Sequence, residues 1–263
     1  MKLTCPICGQ PLSRQNNSAV CPNRHSYDFA RSGYLNLLRG GKKDSGDNPE
    51  MVQARTAFLH TGAYDFLRNA IKEELSDASV SVLCDLGCGE GYYTASFPAE
   101  EKYGFDLSKS AVNYAAKHDK STQYVISSIF HLPLPDSCMD GAVTCFAPAA
   151  GQELLRILKP GGIFVYVQPA KRHLYELKEV LYEHPYENDE EPPALPLTLI
   201  KERTVSRPFA ADHTSLMNLF QMTPYAYKTG TAGTARLQEI ASMSVTAAFV
   251  IRVYAKDHSS SSS

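Results

Sequence analysis

No stretch of this 263-residue chain approaches the ~20 consecutive apolar residues that a membrane helix needs; the longest apolar runs have the length of a strand. The N-terminus, Met1-Lys2-Leu3-Thr4-Cys5-Pro6, has no apolar core of the kind that directs secretion. No segment recurs at a period of roughly 20–50 residues, which excludes a solenoid. Charge of one sign is also missing overall, with 26 cations against 28 acids and a net charge of −2. A content of 43% apolar and 21% charged residues excludes global disorder, collagen and coiled coil. These absences predict a cytoplasmic protein with no membrane partner, in which structural disulfides are rare. At roughly 150 residues per domain, the length fits one large domain, or a large and a small one.

The neutral total conceals an asymmetry. Residues 1–43 carry seven cations against the single acid Asp28, a net of +6, while the rest carries 19 against 27, a net of −8. The same basic segment holds three of the seven cysteines, as Cys5-Pro6-Ile7-Cys8 and then Cys21-Pro22-Asn23-Arg24-His25. A C-x2-C knuckle turns two sulfurs toward one point, and Cys21 with His25 completes a tetrahedron. Three sulfurs and one nitrogen form a closed set for structural Zn2+ with no position left for water. The segment has few large apolar residues, so metal binding supplies the folding free energy that it lacks. Tyr27, Phe29 and Tyr34 are interleaved with Arg24 and Arg31. That mix fits RNA, where bases stack and phosphates pair, and equally fits rings that pack the module against the body.

Residues 40–50, with three glycines and a proline, read as a linker. The predicted organisation is a zinc-binding RNA-recognition module over 1–39, the linker, a catalytic body over 51–257 and a disordered serine tail over 258–263. In the body, Phe66, Leu67, Ala70, Ile71 and Leu75 share one face of a helix. Short apolar runs at Val80–Cys84, Tyr103–Phe105, Gln123–Ser127, Gly141–Phe146 and Ile163–Val167 read as strands. Helices capped by Ser108 and spanning Glu153–Leu158 lie between them, so the fold class is α/β with a mostly parallel sheet. Residues 186–196 form an acidic, proline-rich loop.

The first strand ends in Asp85-Leu86-Gly87-Cys88-Gly89-Glu90-Gly91, and Asp106 tips the next strand 21 residues after Asp85. Glycines at 87 and 89 let a ligand approach the backbone where the strand turns toward a helix, and Asp106 is placed to accept hydrogen bonds from ribose hydroxyls. Dinucleotides prefer G-x-G-x-x-G and set a pyrophosphate on the helix N-terminus. Here the spacing is G-x-G-x-G, and Asp85 and Glu90 would repel a pyrophosphate. They suit a ligand with a positive sulfonium and amine, S-adenosyl-L-methionine.

On these motifs the body resembles class I S-adenosylmethionine-dependent methyltransferases, with a Rossmann-like, mostly parallel seven-stranded sheet. With the zinc module, the chain from Cys5 to about Tyr254 resembles the 23S ribosomal RNA guanine-N1 methyltransferases. The added motifs are Met51-Val52-Gln53-Ala54-Arg55, Arg172-His173-Leu174-Tyr175-Glu176-Leu177-Lys178 and Met222-Thr223-Pro224-Tyr225. The resemblance implies transfer of a methyl group to N1 of a guanine in a hairpin loop of domain II of 23S ribosomal RNA. It also implies zinc at Cys5, Cys8, Cys21 and His25, cofactor contacts at Tyr64, Gly89, Glu90 and His173, and a homodimer. Many class I members place an acid before the Leu-Pro loop for the adenine amino group; here Ser128 stands there.

Guanine N1 carries a proton near neutral pH, so the reaction needs a base or a hydrogen bond to O6. His173, Asp136 and Asp140 are candidates for the base, each with a structural or cofactor-facing alternative, and the sequence does not choose. The Phe146-Ala147-Pro148 turn is expected to wall the base pocket. Two rival readings are a methyltransferase of a small molecule or another RNA with a purely structural zinc module, and a zinc-dependent RNA-binding protein with an inactive body.

Overall fold

The computed structural model describes residues 1–40 and 47–258. Positions 41–46 of the expected linker and 259–263 of the serine tail lie outside the described residues. The N-terminal segment folds as a small antiparallel sheet of β1 (Ser13–Gln15), β2 (Ser18–Val20) and β3 (Ser26–Asp28), followed by β4 (Leu35–Asn36). Helix α1 (Pro49–Leu59) opens inside the stretch expected as linker. Pro49 occupies its first turn, where a missing N–H costs nothing, and the Asn48 side chain accepts the Met51 N–H at 2.8 Å as N-cap.

The body alternates as the apolar runs predict. After α2 (Asp65–Asp77) come β5 (Val82–Leu86), β6 (Glu101–Asp106), α3 (Lys109–His118), β7 (Thr122–Ile126), β8 (Met139–Cys145), α4 (Gly151–Ile157) and β9 (Leu158–Pro169). The Ser108 hydroxyl caps α3 by accepting the Ala111 N–H. Then follow α5 (Tyr175–Leu181), β10 (Thr198–Asp212), α6 (His213–Met222), α7 (Tyr225–Lys228), α8 (Thr231–Gln238) and β11 (Ser242–Ala255). The large sheet has the order β10-β11-β9-β8-β5-β6-β7-β4. Strands β5 to β9 pair in parallel, while β11 runs antiparallel to β9 and β10. These are the seven strands of the class I arrangement plus an eighth that the N-terminal module contributes.

That eighth strand changes how the module relates to the body. Leu35 and Asn36 pair in parallel with Val125 and Ile126 on the edge strand β7. The Thr4 N–H bonds to the Pro133 carbonyl at 2.9 Å, and the Leu37 N–H bonds to the Ile126 carbonyl at 2.9 Å. Leu3, Leu12, Phe29, Leu35 and Leu37 are buried in one continuous apolar cluster with Leu86, Tyr103, Phe105 and Val125 of the body. Tyr34 is buried against Val112, Ala115 and Ala116 of α3. The aromatic residues left open between RNA stacking and packing are thus packing residues, for Tyr27 lies on the zinc cluster with its hydroxyl 3.2 Å from Cys5 Sγ. Arg24, Arg31 and Arg39 remain exposed, and among the described residues none of them has an ion-pair partner.

Removing the module would uncover Leu86, Tyr103, Phe105 and Val125 of the body. Since burying one large apolar side chain is worth roughly 1.5–3 kcal/mol, even partial exposure of these four takes a large share of the ~5–15 kcal/mol that holds a whole domain. Truncation of residues 1–40 is therefore expected to lower the melting temperature of the body by more than about 10 °C or to leave it insoluble. An unchanged calorimetric transition in the truncated chain would show that the module is a mere appendage.

Candidate functional site

The Cys5, Cys8 and Cys21 sulfurs and a His25 ring nitrogen lie within 4.8 Å of one another. Cys8 and Cys21 sulfurs are 3.7 Å apart, and His25 Nδ1 is 3.4 Å from both Cys5 and Cys21 sulfurs. A tetrahedron with ~2.3 Å metal–sulfur bonds has edges of about 3.7 Å, so this donor set fits Zn2+. Burial works against ionising the Cys5 thiol, but the Tyr27 hydroxyl and nearby backbone N–H groups outweigh it and bring the thiol down to about 6.

The second site is a cavity of about 890 Å³ at the carboxyl ends of the parallel strands, the edge where open α/β sheets bind ligands. Gly87, Gly89, Glu90, Asp106, Tyr64 and His173 all line it, together with Asp85, Arg55 and the Phe146-Ala147-Pro148 turn. The Asp106 carboxylate accepts the Gly89 N–H at 3.0 Å and the Ser108 N–H at 2.7 Å, which joins the tips of β5 and β6. Burial raises its pKa, against those two backbone donors. Asp85 accepts a hydrogen bond from the Thr94 hydroxyl and is pushed up to about 7 by burial, with the Asp106 and Glu90 charges adding to the rise. Glu90 is likewise raised by burial, and the Arg55 guanidinium opposes that rise.

Arg55 is the site residue that its sequence motif marked without a role. It reaches down from α1 and pairs with Asp47 and with Glu90, the latter at 3.5 Å. That second pair is close enough for Coulomb attraction but lacks hydrogen-bond geometry. Glu90 Oε2, Asp85 Oδ1 and Tyr64 Oη are all buried without a hydrogen-bond partner. A cavity that presents two buried carboxylates and a half-buried third, one balancing arginine and unpaired acceptors fits a cationic ligand with ribose hydroxyls, as S-adenosylmethionine is.

Two details of the glycine loop differ from expectation. The loop leads into a single 3-10 turn at Thr94–Ser96 and not into a long helix. Phe97 precedes Pro98 and is extended, as a residue before proline must be. No helix dipole is therefore available for a pyrophosphate. Gly87, at φ +81°, faces protein: an added Cβ would lie 2.6 Å from the Ala147 Cβ. This glycine lets the Phe146-Ala147-Pro148 turn close on the loop.

His173 is buried, its ring 4.5 Å from that of Phe249. The Ala248 N–H donates to its Nδ1 at 3.1 Å, and burial lowers its pKa to about 3. The ring is therefore neutral with its proton on Nε2, a hydrogen-bond donor with no free lone pair for a base. Tyr64, at the start of α2, packs edge-on against Phe58 and Phe249. Neither other candidate base reaches the cavity. Asp136 is exposed and paired with Arg156 at 2.9 Å. Asp140 accepts from Lys159 at 2.6 Å and from the Val82 N–H at 2.8 Å, at the opposite end of β5. Ser128 does line the cavity, and its hydroxyl oxygen accepts the Phe130 N–H at 3.2 Å.

Sheet order, glycine loop and acidic cradle define a class I S-adenosylmethionine-dependent methyltransferase carrying a zinc site. The family model for the N-terminal zinc ribbon described as "RlmA, N-terminal" matches residues 3–46, and a methyltransferase-domain model matches residues 84–166. A 23S rRNA (guanine(748)-N(1))-methyltransferase of Streptomyces fradiae is 36% identical over 188 residues, spanning 68% of this chain and 67% of the relative. Putative 23S rRNA (guanine-N(1)-)-methyltransferases of Micromonospora griseorubida and Bacillus subtilis (strain 168) are 34% and 30% identical, over 69% and 68% of their own lengths. The chain belongs to the 23S rRNA (guanine-N1)-methyltransferase family.

Two outcomes test the cradle. Gly87→Ala is expected to weaken S-adenosylhomocysteine binding at least about tenfold in calorimetry, and adding Ala147→Gly should restore part of it by removing the Cβ contact while leaving the φ strain. Because Asp85 loses its proton as pH rises through about 7, the loop grows more negative across that range. The affinity ratio of S-adenosylmethionine to its neutral-sulfur product should therefore increase from about pH 6 to about pH 8. A flat ratio would mean that Asp85 does not sense the sulfonium.

Proposed function

We propose that this chain transfers the methyl group of S-adenosylmethionine to N1 of a guanine in a hairpin loop of domain II of 23S ribosomal RNA. One observation carries the reading: the acid-lined glycine loop and the Phe146-Ala147-Pro148 turn open into one cavity, in a chain whose relatives over two thirds of their length are named for this activity. The bound cofactor supplies an activated methyl on a sulfonium. The chain's own part is position and electrostatics. Asp106 takes the ribose hydroxyls, Glu90 and Asp85 face the positive charge, and Tyr64 and His173 close the cavity from the β9–β11 side. The Nε2–H of His173 serves as a donor, so proton loss from guanine N1 is left to other groups. Phe146 and Pro148 wall the pocket for a base that has left its stack, a step that is least costly in an RNA loop.

The exposed arginines of the zinc module, Arg24, Arg31 and Arg39, take the RNA phosphates, and the net acidity of the body is compatible with that division. Two modules in a homodimer would present such cations on both sides of one RNA. Among the described residues no helix is long and apolar enough to cross a membrane.

The test is methylation of protein-free 23S RNA followed by primer extension. A methyl on guanine N1 blocks Watson–Crick pairing, so a new stop is expected in the domain II hairpin when both enzyme and S-adenosylmethionine are present. A transcript without that stop, under conditions where the cofactor binds, would defeat the assignment.

A further inference from the structure

The chain has 11 phenylalanines and 15 tyrosines, and among the described residues four of these rings are largely exposed: Phe130, Phe146, Tyr186 and Tyr227. All four line the cavity at the carboxyl ends of the parallel strands. They come from four separate segments: the loop after β7, the turn after β8, the acidic loop after α5, and α7. An exposed ring is unremarkable alone, but four converging on one opening mark a surface built for a flat apolar ligand.

The Tyr186 ring is held in place by a buried group. Lys178 is fully buried in α5, and its Nζ donates to the Tyr186 carbonyl at 2.9 Å and to Asn188 Oδ1 at 2.7 Å. Asn188 in turn donates to the Ala170 carbonyl at 2.8 Å, which moors the acidic loop to the end of β9. Phe146 has φ +66°, a left-handed conformation that bulky residues rarely adopt, and it stands at the rim of the cavity. The Tyr227 hydroxyl meets Met51 Sδ of α1 at 2.7 Å.

The charge around the opening narrows the ligand. Glu187, Asp189 and Lys228 share the lining with these rings, and Glu187 is paired with Arg172 at 3.6 Å, so the opening carries mixed, largely balanced charge and offers a neutral base face more than a phosphate site. Phe130 also links the opening to the zinc module, because its loop carries Pro133, whose carbonyl accepts the Thr4 N–H. Resting on the function proposed above, we infer that Phe130, Tyr186 and Tyr227 extend the pocket wall that Phe146 gives the target base into a stacking collar. It holds the unpaired nucleobases that flank the target guanine, while the module's arginines hold their phosphates. Stacking on rings is insensitive to salt, whereas each phosphate contact adds to the salt slope.

The experiment uses the full-length, zinc-loaded protein and a domain II hairpin RNA carrying 2-aminopurine beside the target guanine. Phe130 and Tyr227 are 52% and 68% exposed, so Phe130→Ala and Tyr227→Ala should melt like the wild type. Each is expected to weaken RNA binding about tenfold, with cofactor affinity and the slope of log affinity against log salt unchanged. Phe130→Tyr should restore binding, and the quenching of 2-aminopurine seen with the wild type should shrink in the alanine variants. Arg31→Ala, in contrast, should reduce the salt slope by about one phosphate contact. The collar is overturned if both alanine variants bind and quench like the wild type, or if Phe130→Tyr is no better than Phe130→Ala. A wild-type protein that quenches the probe but leaves no primer-extension stop would sink the proposed reaction and leave the collar standing.

Discussion

The functional end of the molecule depends on one hydrogen bond, from the Gly89 N–H to the Asp106 carboxylate at 3.0 Å. It joins the tips of two adjacent parallel strands and fixes the glycine loop where a ligand must lie. The same carboxylate takes the Ser108 N–H at the start of α3, so strand, loop and helix share one anchor. Even a half-buried carboxylate is costly without donors, and two backbone donors here keep it in place. Around it Asp85 and Glu90 are more deeply buried, and Arg55 balances the cluster from α1. Helix α1 is thereby tied to the cradle by charge, which connects the entry of the body to its active end.

The N-terminal zinc ribbon reads in sequence as a separate basic reader on a linker. Its fold is continuous with the body instead. A two-residue strand extends the large sheet, and the module's few apolar side chains complete the body's core on one face. The zinc set supplies order to a segment too small to fold alone, and the body supplies the apolar surface that the segment lacks. This arrangement leaves the module's cations outward and its rings inward.

Much of the chemistry was legible from local spacing. The C-x2-C and C-x3-H pairs specified a metal tetrahedron, and the distances among the four donors agree with it. The strand, glycine loop and second acid specified a cradle, and the structure brings its residues to one cavity. The long β10 was not legible as a strand, whereas β11 carries an apolar run from Ala247 to Ile251 and is buried over most of its length. β10 lies on the sheet edge with most of its residues exposed, so it shows no apolar run. The helix expected after the glycine loop was replaced by a 3-10 turn because Pro98 closes the segment early.

By itself the sequence determined what repeats locally: the strand and helix periods, the metal set, and the acid 21 residues beyond Asp85. Tertiary structure decided what converges from a distance. It turned His173 into a neutral donor by burying it against the Ala248 N–H. It also sent Asp140 to the far end of β5 and drew four exposed rings from four segments to one opening. The physical reason is that spacing along a chain encodes only short-range geometry. Which carboxyl ends of parallel strands lie side by side, and hence which side chains share a cavity, is set by the order of the sheet.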